Sequence, residues 1–348
     1  MNDNSQNQRT EISQYGEFGL IDILTKTIQL KNASSKYGVG DDAAIMNFGD
    51  KDVLASTDLL LEGIHFDLSY APLKHLGYKA AVVNFSDIYA MNGRPTQLLV
   101  SIGISKRFSV EDIEELYEGM RLACQVYGVD LVGGDTSASL TGLTLSLTII
   151  GEVDKDKAVK RNGAKLNDLV CVSGDLGAAY MGLQLLEREK KVFAGEKDFT
   201  PDFEGKEYLL ERQLKPEARK DIMEGFAQRG IVPTAMMDIS DGLSSEILHI
   251  CKQSKCGCRL YEERIPIDYQ TASLCEEMNM NLTTVALNGG EDYELLFTVP
   301  LGMHKLIEDW PDVKIIGHIC DQSDGCRLIS RDGNELDIIA QGWKHLSD

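Results

Sequence analysis

The sequence predicts a mixed α/β (α+β) protein made of two domains. The chain has 348 residues, which is long enough for two domains of ordinary size. Apolar segments with the period of a strand alternate with segments that have the period of a helix, and this is typical of mixed folds. An apolar fraction of 43% is typical of a globular chain. We place the boundary before a charged stretch, which gives domains of residues 1–153 and 154–348.

The first half of the chain contains a polar arm, three predicted helices and four predicted strands. In order these are arm 1–14, helix 18–30, strand 53–56, helix 73–91, strand 98–104, helix 109–127, strand 129–132 and strand 143–150. Helix 109–127 has the clearest end signals, because Ser109 and Asp112 resemble a capping box and Gly128 is a typical C-terminal glycine. In helix 73–91, Asp87 continues the apolar face of Val83. A carboxylate on an inward face is costly unless it is paired or bound to a metal.

The second half continues the alternation of strands and helices. The predicted elements are strand 169–172, helix 176–187, a polar insertion at 189–207, and a helix that carries Leu243, Ile247, Ile250 and Cys251 on its inner face. Asp241 is predicted to cap that last helix.

The charge of the chain limits its partners. A formal net charge of −20 argues against a nucleic-acid or membrane-surface partner, since both bind basic faces. The longest apolar stretch, residues 143–150, is too short to span a bilayer. The polar N-terminus lacks the apolar core of a signal peptide. We therefore expect a cytoplasmic protein with no nucleic-acid partner and no membrane partner.

The eight cysteines include a group near the middle of the second half. Cys251, Cys256 and Cys258 lie close together, without the histidine spacing of a zinc site. Free thiols are the favoured interpretation, and a zinc site is the alternative.

Acidic residues occur at five separated places that resemble sharp turns. These are residues 40–42, 56–58, 84–87, 133–136 and 238–242. Each one alone is typical of an ordinary turn or helix cap. Gathered together, the carboxylates would repel one another unless cations lay between them, and oxygen-rich sites suit Mg²⁺. Several Mg²⁺ ions of this kind would hold the phosphates of a nucleotide.

Other nucleotide motifs do not fit the sequence. It contains neither a Walker A motif nor the protein-kinase set. Residues 38–43 mimic a dinucleotide fingerprint, but no apolar strand precedes them and no clear helix follows.

An ordered set of motifs resembles the thiamine-monophosphate kinase family. The strings are Gly-Val-Gly-Asp-Asp-Ala at 38–43, Ser-Thr-Asp-x6-His-Phe at 56–66, Asn-x-Ser-Asp-x-x-Ala-Met at 84–91, Gly-Gly-Asp-Thr at 133–136, Arg-x-Gly-Ala at 161–164, Asp-x-Ser-Asp-Gly-Leu at 238–243, Gly-Gly-Glu-Asp-Tyr-Glu-Leu at 289–295 and Gly-Trp-x-His at 342–345. The resemblance runs from about residue 16 onward, and the order of all eight strings is more specific than any one.

The resemblance implies a fold, a reaction and a partner. The fold is the one shared with aminoimidazole ribonucleotide synthetase, in which the sheet of the N-terminal domain pairs across a homodimer and a C-terminal α/β domain completes the active site. The reaction is ATP-dependent, Mg²⁺-assisted phosphorylation of thiamine monophosphate to thiamine diphosphate. It uses direct in-line transfer, without a dedicated catalytic base.

The resemblance also implies roles for particular residues. The implied metal ligands are Asp42, Ser56, Thr57, Asp58, Asp87, Asp135, Asp238 and Asp241. The implied ATP contacts are Gly134, Asp135, Arg161 and Ser240. The implied substrate contacts are His65, Glu291 and Trp343.

Several alternatives stay open on the sequence alone. Asp41 could replace Asp42 as the ligand, His65 and Arg161 could be ordinary surface residues, and Trp343 could fill a core. Glu291 adjoins two glycines, so a turn is its simpler interpretation. The rival activities are another ATP-using enzyme of the same fold and a non-enzymatic metal- or nucleotide-binding regulator.

Overall fold

The computed structural model describes residues 35–37, 40–193 and 203–341. The predicted N-terminal arm, the predicted helix 18–30 and Trp343 lie outside these residues. Within them the chain forms two β-sheets and nine α-helices. The prediction of a mixed α/β fold is thus confirmed.

The first sheet has six strands. They are β1 (Ser35–Tyr37), β2 (Ala44–Asn47), β3 (Lys51–Leu61), β4 (Arg94–Ile104), β5 (Asp130–Ala138) and β6 (Thr144–Asp154), in the spatial order β1-β2-β3-β6-β4-β5. Only β4 and β5 pair in parallel.

Two long helices pack together beside the first sheet, α1 (Leu73–Ala90) and α2 (Val110–Tyr127). Their backbones approach closely at two glycines, since a Cβ on Gly77 would lie 1.9 Å from the Leu116 carbonyl oxygen and one on Gly119 would lie 1.9 Å from that of Lys74. Only glycine fits such a crossing.

The second sheet has seven strands. They are β7 (Leu169–Ser173), β8 (Ala235–Asp238), β9 (Gly257–Tyr261), β10 (Leu295–Val299), β11 (Val313–Cys320), β12 (Cys326–Ile329) and β13 (Glu335–Asp337), in the order β13-β12-β9-β11-β7-β10-β8. The accompanying helices are α3 (Ala178–Phe193), α4 (Glu207–Leu214), α5 (Lys220–Arg229), α6 (Leu243–Ser254), α7 (Tyr269–Glu277), α8 (Leu282–Asn288) and α9 (His304–Glu308).

The two sheets have separate apolar cores that touch. The first core lies between the first sheet and helices α1 and α2, and it includes Ala218 and Tyr293 from the second half of the chain. Tyr78 of α1 also donates a hydrogen bond of 2.6 Å to Glu217. The strands of the first sheet end at Asp154 and those of the second begin at Leu169. The division at residues 153 and 154 stays a prediction.

The helices with local end signals were predicted best. Helix α2 has the predicted capping box between Ser109 and Asp112, and Gly128 ends it in the left-handed conformation.

The cap predicted at Asp241 is wrong, because α6 begins after Gly242 and has no side-chain cap.

Two of the predicted acidic turns are strand interiors. Thr57 and Asp58 lie within β3, and Gly134 and Asp135 lie within β5. The hydrogen bonds of neighbouring strands extend both elements through residues that locally favour turns. The predicted polar insertion begins inside α3, which continues to Phe193.

In the described part of the chain, no helix is both long enough and apolar enough to cross a membrane.

Candidate functional site

Three carboxylates from distant parts of the chain meet at one point. Oxygen atoms of Asp42, Asp87 and Asp238 all lie within 4.8 Å of one another. Asp42 lies just before β2, Asp87 lies in the last turn of α1, and Asp238 is the last residue of β8. The acidic cluster, defined as these three residues, therefore joins elements of both sheets.

Burial and mutual repulsion dominate the electrostatics of the acidic cluster. Burial and the nearby Asp58 and Asp238 carboxylates raise the pKa of Asp87 well above its ordinary value. Burial and the Asp42 carboxylate raise the pKa of Asp238 to about 7. Burial raises the pKa of Asp58 to about 6. A group of carboxyls with such values holds charge at a cost that a bound cation would offset.

The donor set of the acidic cluster fits a hard divalent cation. All of its charged ligand atoms are carboxylate oxygens, which suit Mg²⁺ and Ca²⁺ better than softer metals. Serine hydroxyls fix two of these carboxylates in place. Ser56 donates to Asp87 at 2.6 Å and Ser86 donates to Asp238 at 2.6 Å. Ser56 thus lies at the cluster in contact with a carboxylate, and its role as a metal ligand stays a prediction.

Arg161 lies at the edge of the acidic cluster. Its Nε donates to Asp42 Oδ2 at 3.0 Å and its Nη2 donates to Asp42 Oδ1 at 2.5 Å. Burial opposes the charge of Arg161, but the Asp42 carboxylate outweighs it and raises the pKa of the guanidinium. The side chain is only 14% exposed, so it is no ordinary surface charge.

Asp41 and Asp42 occupy different positions relative to the acidic cluster. Asp42 lies with Asp87 and Asp238, whereas Asp41 accepts a hydrogen bond of 2.9 Å from the backbone N–H of Arg161. Asp41 therefore orders the loop that carries Arg161.

A large cleft adjoins the acidic cluster. Its volume is about 1450 Å³. The predicted site residues that line it are Thr57, Asp58, His65, Asp87, Asp238, Ser240, Asp241 and Glu291. Helix α1 forms one wall, with Lys79, Val83 and Asp87 on the same face at four-residue intervals.

Glu291 faces the cleft in an unusual backbone conformation. Its φ is +58°, in the left-handed region that residues other than glycine seldom adopt. Backbone conformations of this kind are often found at functional sites. Its carboxylate pairs with Lys79 at 3.1 Å and accepts from Gln213 at 2.9 Å. Its backbone N–H donates to the Ser240 carbonyl at 2.6 Å, which ties the 289–295 loop to the loop after β8.

The other two acids of the 289–295 motif are structural. Asp292 and Glu294 are each only 1% exposed. Glu294 pairs with Arg212 at 2.8 Å and also with Arg219, while Asp292 accepts from the backbone N–H of Gly177. One short motif therefore supplies a carboxylate to the cleft and two to a buried ion-pair network.

His65 and Thr57 are both held by main-chain hydrogen bonds. Nδ1 of His65 accepts from the Leu61 N–H at 3.0 Å, so the neutral ring carries its proton on Nε2. The Thr57 hydroxyl donates to the Leu147 carbonyl at 2.8 Å. Thr57 borders the cleft, but its hydroxyl is occupied within the sheet.

The structure does not bring Gly134 and Asp135 to the acidic cluster. Both lie on β5, an exposed strand at the edge of the first sheet. Asp135 is aligned through β4 and β6 with Leu59 of β3, three strand spacings or about 14 Å away. Packing explains why a glycine is needed at position 134, since a Cβ there would lie 1.8 Å from the Val100 carbonyl oxygen.

Four residues at the site had not been predicted: Ser86, Lys79, Gln213 and Glu246. Ser86 belongs to the 84–87 motif, and Lys79 precedes Asp87 at helical spacing, so both carried a signal. Glu246 accepts from the Asp241 N–H at 3.0 Å, and its other oxygen is buried without a hydrogen-bond partner. Burial and the Asp241 carboxylate raise the pKa of Glu246 well above its ordinary value.

Comparisons with known proteins show the family of this chain. Residues 40–153 match the family described as AIR synthase related protein, N-terminal domain. The thiamine-monophosphate kinase of Aquifex aeolicus is 36% identical over 337 residues, covering 96% of this chain and 99% of that protein. The enzyme of Bacillus subtilis is 32% identical over 343 residues, covering 94% of this chain and 99% of that protein.

Solved structures give the same result. The structure of AaThiL complexed with AMPPCP and TMP superposes with a TM-score of 0.82 at 34% identity, covering 97% of this chain and all of that one. The hydrogenase maturation protein HypE of E. coli shares the fold at a TM-score of 0.64 and only 18% identity, covering 82% of this chain and 86% of that one. Near-complete coverage at more than 30% identity, together with the ordered motifs, shows that this chain belongs to the thiamine-monophosphate kinase family.

Proposed function

We propose that this protein transfers the γ-phosphoryl group of ATP to thiamine monophosphate and so forms thiamine diphosphate and ADP. The acidic cluster beside a cleft of about 1450 Å³ is the observation that carries the proposal. It is supported by the names of the relatives and by the AaThiL complex, because AMPPCP is an ATP analogue whose γ-phosphoryl group cannot be transferred.

Asp42, Asp87 and Asp238 of the acidic cluster would hold Mg²⁺ together with Asp58, which lines the adjoining cleft, and we assign Asp241 to a further ion. Bound there, Mg²⁺ would neutralise the charge of two phosphorylated molecules that otherwise repel each other. Arg161 adds a fixed positive charge beside Asp42. Ser56 and Ser86 hold the carboxylates in position.

The acceptor needs positioning more than activation. A phosphate oxygen is already a nucleophile, so no carboxylate of the site has to remove a proton from it. We assign the acceptor to the part of the cleft lined by His65 and Glu291. The Nε2–H of His65 is a donor, and the Glu291 carboxylate would favour the positive thiazolium ring. Trp343 stays the predicted aromatic contact.

A homodimer would explain the exposed side of the first sheet. Leu59 is 53% exposed and Val132 is 56% exposed in the single chain, and the edge strand β5 has unpaired backbone groups. We assign this side to the contact between two copies. It would place Gly134 and Asp135 at the subunit boundary, which is consistent with a nucleotide role that the single chain does not provide.

The division into domains of residues 1–153 and 154–348 and a cytoplasmic location belong to the same proposal. The separate strands of the two sheets support the division. The free cysteines of the described residues are consistent with a reducing compartment.

Product analysis tests the activity. The purified protein is incubated with ATP, Mg²⁺ and thiamine monophosphate, and the mixture is separated by chromatography. We expect thiamine diphosphate and ADP in equal amounts. ATP binding without any thiamine diphosphate would instead favour a nucleotide-binding regulator.

A further inference from the structure

Four cysteines outside the acidic cluster lie close together where helix α6 meets the second sheet. The sulfur atoms of Cys251, Cys258 and Cys326 all lie within 4.8 Å of one another. Cys251 is in the last turns of α6, while Cys258 and Cys326 are paired neighbours on the parallel strands β9 and β12. The thiol of Cys256 is in hydrogen-bonding contact with that of Cys251.

The backbone around these thiols is fixed. The N–H of Cys256 donates to the Cys251 carbonyl at 3.0 Å, and the N–H of Cys258 donates to the Gly325 carbonyl at 3.1 Å. A Cβ on Gly257 would lie 2.4 Å from the Gly325 carbonyl oxygen, so only glycine lets the two segments meet. The four thiols are therefore held together by the fold.

Their spacing is close to that of a tetrahedral thiolate site. Zn²⁺ binds cysteine sulfur at about 2.3 Å, which places the four sulfurs of a tetrahedron roughly 3.8 Å apart. The separations among Cys251, Cys258 and Cys326 would need a contraction of about 1 Å or less, and Cys256 would join them from its contact with Cys251. A disulfide would use only two of the four thiols, and all four are free in the structure.

We propose that Cys251, Cys256, Cys258 and Cys326 bind one Zn²⁺ ion in a structural site. Cys251 and Cys258 are buried, whereas Cys256 and Cys326 are partly exposed and leave a route for the ion. Binding would release the thiol protons to solvent and join α6, β9 and β12.

The site has no direct part in catalysis. Cys251 is the ninth residue of helix α6, so it lies about 12 Å along the helix axis from Leu243, the first residue. Asp241 lies just before the N-terminus of this helix, whereas the four cysteines lie near its C-terminus. The ion would stabilise the helix that follows Asp241, and it would not reach the cleft.

Cobalt titration of the full chain tests the site. Chelator-treated, reduced protein is titrated with Co²⁺ while Mg²⁺ is present in excess. We expect one equivalent of Co²⁺ to give the sulfur-to-cobalt charge-transfer band of a tetrahedral thiolate site, and one equivalent of Zn²⁺ to remove it. Co²⁺ that is bound by carboxylates does not give this band, so binding of Co²⁺ at the acidic cluster does not contribute to the signal.

Single substitutions identify the ligands. Cys256→Ser and Cys326→Ser are expected to lose most of the band, and Zn²⁺ should no longer raise their melting temperature. Cys275→Ser is the matched control, since Cys275 is a buried cysteine in a separate core. It should keep the full band.

Three results would overturn the proposal. They are a wild-type chain that gives no thiolate band, a Cys326→Ser variant that keeps it in full, and a disulfide within the group after rapid alkylation of freshly lysed cells. If a variant fails to fold, the wild-type titration still decides. None of these readouts depends on kinase activity.

Discussion

Ser86 donates a hydrogen bond of 2.6 Å to Asp238. This contact joins helix α1, which packs beside the first sheet, to the last residue of strand β8 in the second sheet. Both residues are buried. Because Asp238 has a raised pKa, a donor that stabilises its charged form directly affects cation binding. The geometry of the acidic cluster therefore depends on how the two halves of the chain are held together.

Ser86→Ala should weaken Mg²⁺ binding by about 10-fold or more, as is usual when a partner of a metal ligand is lost. The Mg²⁺ dependence of the reaction rate measures this. Ser323→Ala, at an exposed serine outside the cleft, serves as the control. An unchanged Mg²⁺ requirement in Ser86→Ala would show that Asp238 does not need this donor.

Asp87→Asn and Asp58→Asn should each lower kcat by about 100-fold or more, because the site would lose a charge that holds cations at the reacting phosphates. The fold should survive, since the substitutions relieve repulsion between buried carboxylates. Asp332→Asn changes an exposed turn and is the control. Unchanged turnover of both variants at saturating Mg²⁺ would contradict the assignment.

Two substitutions within the 289–295 motif should separate binding from stability. Glu291→Gln should raise the KM for thiamine monophosphate and lower the melting temperature less than Glu294→Gln does, because Lys79 keeps its hydrogen bond to the Gln213 carbonyl. Glu294→Gln should lower stability by roughly 3–5 kcal/mol, because it leaves Arg212 and Arg219 buried without their full partner. Steady-state kinetics and thermal melts of both variants make the comparison. Equal effects on melting would contradict the division of roles.

The chain without divalent cations should be more stable at about pH 5 than at about pH 8. Folding raises the pKa of Asp58 to about 6 and that of Asp238 to about 7, both from 3.8. At pH values between 3.8 and about 7, the folded chain holds more protons on these two carboxyls than the unfolded chain does. The stability that protonated Asp58 and Asp238 contribute is therefore lost as the pH rises through about 7. Thermal melts in EDTA measure the effect, and Mg²⁺ should reduce it. A higher melting temperature at the alkaline pH would reverse the predicted sign.

Val132→Lys should convert a dimer to a monomer, because it places a charge on the exposed side of the edge strand. Leu336→Lys is a matched control, since Leu336 is 51% exposed on β13 of the second sheet. Sedimentation of the wild type and both variants gives the masses. A monomeric wild-type chain would exclude the proposed contact.

The sequence predicted features whose signals are local. The ends of α2 followed from Ser109, Asp112 and Gly128, and the inward position of Asp87 followed from the helical period. The lengths of β3 and β5 could not be predicted from the sequence, since the hydrogen bonds of these strands come from strands far along the chain. Cys326 could not be grouped with the other cysteines for the same reason, because only strand pairing brings it beside Cys258.

The face of α1 that carries Lys79, Val83 and Asp87 also sets a length. Lys79 contacts Glu291 at the acceptor end of the cleft and Asp87 lies in the acidic cluster, roughly 12 Å farther along the same rigid helix. A molecule that engages both ends must span that fixed interval. The helix therefore fixes the distance between the two ends of the cleft.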